Sequence, residues 1–132
     1  MALTAADRRA VRERAGGRCE YCRMAEAWEP FFPYHIEHVI ARQHGGRDER
    51  GNLAFACNRC NLLKGPNLTS IDPDSGSVTP LFNPRTQHWH EHFLSEHGRV
   101  IGLTPAGRTT VFLLQINALP RVELRLENVG GG

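Results

Sequence analysis

Cysteines stand at positions 19, 22, 57 and 60 of the 132-residue chain and nowhere else. A two-residue spacing lets both thiolates of a pair point at one ion. Two such pairs complete a tetrahedral sulfur shell, the usual arrangement of structural zinc. Disulfides fit poorly, because the charged N-terminus MALTAADRRAVRERAGG has no apolar central run of a secretory signal. A redox CxxC would explain one pair and leave the other, and an iron–sulfur cluster is the alternative occupant. Cys19, Cys22, Cys57 and Cys60 are therefore expected to bind structural zinc, which four thiolates leave without an open position for water. Its role would be to clamp the two ends of the 34 residues between the pairs.

That clamped insertion contains HIEHVIARQHGG, with His35, Glu37, His38 and His44 ahead of Gly45-Gly46, and then Asn52; Asn61 follows the last cysteine. These residue types suit phosphodiester hydrolysis, which needs a base for the attacking water and positive charge on the developing oxygens. His38 can be the base, since an unperturbed imidazole titrates near neutral pH. Glu37 and Asn61 offer hard oxygen ligands for one Mg²⁺ or Mn²⁺. In a regular strand Glu37 and His38 point to opposite faces, so they share a site only if the strand ends or bends there. His35 lies on the same face as Glu37 and is the rival ligand.

The stretch EHVIARQHGGRDERGNLAFACNRCN resembles the HNH endonuclease family, whose core is a ββα-metal finger often braced by two CxxC knuckles. The resemblance covers most of residues 15–65, and LFNPRTQHWHEHF is similar to the C-terminal part of a prokaryotic branch. It implies a DNA-cleaving enzyme in which His38 is the general base, Glu37 and Asn61 hold the catalytic divalent metal, and Asn52 braces the loop that aims His38. The last motif residue, often histidine in the family, is Asn61 here. Loss of that imidazole favours Mg²⁺ or Mn²⁺ over a transition metal.

The elements that must position these residues can be read in outline. Thr4 is an N-cap signal for a short helix ending near Gly16-Gly17. Tyr34–Glu37 and the run from Asn52 read as two strands, and NRCNLLKG as a helix stopped by Gly65 and Pro66. DPDSG marks a hairpin. Asn83-Pro84 predicts a helix through Gln87, Trp89 and Phe93 that stops near Gly98. GRVIGL reads as a strand, Thr104-Pro105 opens a helix, and residues 127–132 read as a frayed tail. The expected fold is α+β: a ββα-metal core over about 15–65, braced by the four-cysteine zinc site, with a helix and hairpin extension over about 66–126, all in one domain.

Net charge is only +2, yet all but one of the 16 basic residues are arginine, and residues 1–64 hold 11 of the 16. Arg42, His44, Arg47, Arg50, Arg59 and Lys64 are the expected phosphate contacts. No window approaches the roughly 20 apolar residues that span a bilayer, so the default is a cytoplasmic protein without a membrane partner. DNA is the expected partner. The competing readings are a zinc-braced binding module without catalysis and a nuclease subunit whose specificity comes from a protein partner. The presence of Glu37, His38, Asn52 and Asn61 together favours the enzyme.

Overall fold

The computed structural model describes residues 3–129, with side chains through residue 128. Helix α1 (Ala5–Arg14) starts at a capping box: Asp7 N donates to Thr4 Oγ1 at 3.0 Å, and Thr4 N donates back to the Asp7 carboxylate at 3.1 Å. Gly16 and Gly17, both at positive φ, turn the chain into the first cysteine knuckle. Strands β1 (His35–His38) and β2 (Leu53–Ala56) pair antiparallel, with His35 opposite Ala56 and His38 opposite Leu53. Helix α2 (Asn58–Lys64) follows directly, its N-cap being Cys57 and its C-cap Gly65 at φ 50°.

Every residue of β2 is buried, and its two faces serve two clusters. Leu53 and Phe55 pack with Val11 and Ala15 of α1. Ala54 and Ala56 face the larger cluster, which holds the four cysteines, Tyr21, Phe82, Trp89, Phe93, Leu114 and Ile116. The two-residue period of a strand thus divides one short segment between two layers. The result is a ββα unit, α+β in class, with the four-cysteine cluster at its base.

Beyond Gly65 comes a hairpin of β3 (Thr69–Ile71) and β4 (Val78–Pro80). The DPDSG turn that joins them is held by Asp72, whose carboxylate accepts from Asp74 N and Ser75 Oγ. The chain then forms α3 (Trp89–His92), the hairpin of β5 (Phe93–Glu96) and β6 (Arg99–Gly102), α4 (Pro105–Leu113) and α5 (Leu119–Val129). Gly107 of α4 lies so close to the hairpin that a Cβ there would meet His92 O at 2.2 Å.

Two sequence expectations are corrected. The helix expected from Pro84 to near Gly98 is only the single turn α3, and Phe93 opens a strand. Asn83 Oδ1 accepts from Arg85 N and Gln87 Oε1 accepts from Asn83 N, which makes 83–87 a turn. Gly98 is not a helix stop. With His97 at φ 50° and Gly98 at φ 78°, it forms the two-residue connection of a hairpin. The tail is also more ordered than expected, since Glu127–Val129 continue α5; residues 130–132 of that tail lie outside the described residues.

Candidate active site and zinc site

The four cysteine Sγ atoms lie within 4.8 Å of one another and all four residues are buried. A tetrahedral shell with Zn–S of about 2.3 Å places its sulfurs roughly 3.8 Å apart. Cys22 Sγ and Cys57 Sγ are 3.8 Å apart. Backbone N–H groups of Cys22 and Cys60 point at Cys19 Sγ (3.5 Å) and Cys57 Sγ (3.4 Å). Arg121 of α5, itself buried, donates from one guanidinium nitrogen to Cys60 Sγ at 3.0 Å and Cys57 Sγ at 3.6 Å. Donors converging on sulfur favour the thiolate, the form that binds metal. The cysteines are positioned to form a zinc site.

Its consequence for the insertion is direct. The second knuckle is the first turn of α2, so the sulfur shell fixes α2 against the β1–β2 pair. An open cleft of about 560 Å³ results, lined among others by Arg8, Glu37, His38, Arg42 and Asn61. Strand β1 ends at His38, and Glu37 and His38 both line this cleft despite being sequence neighbours.

Glu37 is 6% exposed and its two oxygens have different surroundings. Oε1 accepts from Tyr21 Oη at 3.0 Å and pairs with Lys64 Nζ at 2.9 Å. Oε2 is buried without a hydrogen-bond partner among the described residues. Burial raises the Glu37 carboxyl above its ordinary pKa, opposed by Lys64 and Tyr21. The side-chain amide of Asn61, on the same cleft, makes no hydrogen bond among the described residues. An orphaned carboxylate oxygen and an unused amide oxygen are the donor types a hard divalent cation takes.

His38 is held by Asp48, with Nε2 2.6 Å from Oδ1. Arg42 grips the same carboxylate through both oxygens, each at 2.9 Å. Arg42 and then His38 hold the Asp48 carboxyl down at about 2, so it is an anion and can only accept. His38 Nε2 must therefore carry the proton it donates. In the neutral ring this leaves Nδ1 as the free acceptor.

The loop behind them is tied by Asn52. Its Oδ1 accepts from Ile40 N at 2.9 Å, and its Nδ2 donates to Ile40 O at 2.9 Å and Arg47 O at 3.0 Å. Gly46 passes through this knot, where a Cβ would lie 1.7 Å from Ile40 O. That close approach is the physical reason for the second glycine of the GG pair; the first, Gly45, caps a 3₁₀ turn at φ 87°.

Residues 19–67 match the family model described as HNH endonuclease. That segment is similar to an HNH domain. No curated protein and no solved structure matches it.

The matched segment gathers Glu37, His38 and Asn61 on one cleft and sets Asn52 behind it. His35 is turned elsewhere, its Nε2 3.0 Å from Asn58 Oδ1. The expected phosphate contacts are dispersed. Arg42 is bound to Asp48, Arg47 is 3.5 Å from Glu49, and Arg50 pairs with Asp7 at 2.9 Å. His44 is exposed on the loop, and Arg59 borders a different pocket, beside Phe32 and Leu124. Lys64 requires correction. It is 2% exposed, with Nζ on Glu37 and on Val39 O at 3.0 Å, and cannot reach a phosphate.

Sequence reasoning missed Asp48, Tyr21, Arg8 and Arg121. Asp48 lies in HGGRDER, where a mixed-charge loop gives no sign that one carboxylate is turned inward. Tyr21, between the first two cysteines, had a signal in its position. Arg8 and Arg121 lie outside the matched segment and are brought in only by the packing of α1 and α5.

Proposed function

We propose that this protein is a metal-dependent HNH endonuclease that hydrolyses phosphodiester bonds of DNA. The observation that carries the reading is the shared cleft. It combines a histidine whose free nitrogen is set by Asp48, a carboxylate with an unpartnered oxygen, and an amide with none of its capacity used. A binding module has no need of this combination.

The residues divide the work. His38 Nδ1 accepts a proton from a water; that water's oxygen bonds to phosphorus as the bond to the leaving sugar oxygen breaks, and the leaving oxygen keeps the electron pair and takes a proton from solvent. Asp48 keeps the ring in the correct tautomer and stabilises the imidazolium that forms. Asn52 holds the backbone that carries this pair. Glu37 Oε2 and Asn61 would hold one Mg²⁺ or Mn²⁺, which when bound supplies positive charge to the phosphate and leaving-group oxygens. Tyr21 and Lys64 occupy Oε1, so Glu37 has a single oxygen to offer, in keeping with an ion that retains several waters. Zinc at the four cysteines serves the fold and takes no part in the reaction.

Supercoiled plasmid incubated with Mg²⁺ or Mn²⁺ tests the reading. Nicked or linear product is expected from the wild type and none from His38→Ala. Equal cleavage by the two proteins would refute the mechanism.

A further inference from the structure

We propose that Arg8, outside the matched HNH segment, is a phosphate contact of the cleft. The inference rests on the nuclease reading and extends it to a residue of α1. Arg8 and Arg42 are the two guanidinium groups that line the cleft. Arg42 is committed, with Nε and a terminal nitrogen both spent on Asp48. Lys64, the nearest ammonium in sequence to Asn61, is buried against Glu37. Arg8 is exposed, and its side chain makes no ion pair or hydrogen bond among the described residues. Among the described residues it is the uncommitted positive charge of the cleft.

Its position is nonetheless fixed. Arg8 N donates to Thr4 O at 3.1 Å in the first turn of α1. Asp7, one residue earlier, closes the capping box and pairs with Arg50 Nε at 2.9 Å. That pair links the start of α1 to the 47–52 loop, which also holds Asp48 and Asn52. Val11 then packs the same helix on β2. Two attachments thus hold Arg8 on the cleft that His38 also lines.

A phosphodiester that reaches His38 Nδ1 brings one negative charge and gains more as water adds. A guanidinium already paired with a carboxylate brings little net charge to it. A free guanidinium can neutralise it, through two parallel N–H donors on the non-bridging oxygens. Arg8 therefore contacts substrate without exchanging a proton with it.

The test compares Arg8→Ala, Arg8→Lys and Arg9→Ala, the last removing an exposed arginine of the same helix that does not line the cleft. Cleavage is measured at saturating metal, and binding of uncleaved duplex is measured in a His38→Ala background across a salt series. Arg8→Ala should lower the cleavage rate roughly 100- to 1000-fold, in line with loss of one donor to a developing oxyanion. Its binding should show a salt slope smaller by about one. Arg8→Lys should recover part of the rate, and Arg9→Ala should match the wild type. Arg8→Ala behaving like Arg9→Ala, with His38→Ala inactive, overturns this proposal and leaves the nuclease reading standing. If His38→Ala cleaves normally, the reading of His38 as the base fails instead, and the salt slopes alone decide on Arg8.

Discussion

Asp48 decides which nitrogen of His38 can take a proton, and the decision does not vary with pH in the working range. With its carboxyl at about 2, held by Arg42 and His38, Asp48 is ionised throughout neutral conditions. Asp48→Asn removes the charge and offers an amide whose NH₂ can turn toward Nε2, which would select the wrong tautomer. Cleavage should fall by roughly 10²-fold or more, as tautomer control is lost. Zinc content should be unchanged, because the donors to the cysteine sulfurs are backbone N–H groups and Arg121. A wild-type rate in Asp48→Asn would mean that His38 works without this orientation. At this scale the sequence is a good guide to chemistry and a poor one to pairing. Glu37, His38, Asn52 and Asn61 could be picked out by type and spacing. The partner Asp48 could not, since any carboxylate of a charged loop looks alike until the loop is folded, and Lys64 reads by type as a phosphate contact when it pairs with Glu37.

The elements of the core were legible because each carries its own local signal: a capping box for α1, a fully apolar run for β2, and a cysteine cap and a glycine stop for α2. The extension was harder, because its signals are shared between structures. Trp89 and Phe93 stack at 5.0 Å between ring centres although Phe93 begins a strand, and an i, i+4 pair on a helix would also bring the two side chains together. Glycine after a polar residue ends a helix or turns a hairpin equally well. Helix α5 carries the least expected connection, since Arg121 donates to two zinc-site sulfurs and to Leu114 O and Gln115 O. A zinc tetrathiolate has a net charge of −2, and Arg121 is the buried cation beside it. Arg121→Met keeps the apolar stem and removes the compensation. Purified wild type should contain about one zinc per chain. The variant should release it to a chromogenic chelator at least about tenfold faster, since groups that hydrogen-bond to metal ligands are worth roughly 10- to 100-fold in metal affinity. Identical release kinetics would show that the guanidinium only ties down backbone carbonyls.

Across the whole molecule, extension and core share one buried cluster, running from Cys19 to Ile116. Polar ties reinforce it: Arg85 pairs with Glu20, and Trp89 Nε1 donates to Tyr21 O at 2.8 Å, both reaching the first knuckle. Within the extension, Arg108 of α4 grips Asp72 in the β3–β4 turn at 2.9 Å. Arg108, followed by Asp74 N, holds the Asp72 carboxyl at about 2, below its ordinary 3.8. A depressed folded-state pKa means that the unfolded chain binds the proton more readily. The pairing therefore stabilises the fold fully above about pH 4 and ceases to do so as pH falls through 2. Acid also strips zinc by protonating thiolates, and at higher pH, so the wild-type curve alone cannot isolate Asp72. Asp72→Asn can, because zinc loss is common to both proteins. The stability gap between them, from urea unfolding at a series of pH values, should be constant from pH 7 to about 4. It should then narrow as pH approaches 2, where the wild type carries a neutral acid in place of the neutral amide. A gap that stays constant down to pH 2 would place the Asp72 pKa at its ordinary value in the folded chain and dissolve the argument that this ion pair fastens the hairpin to α4.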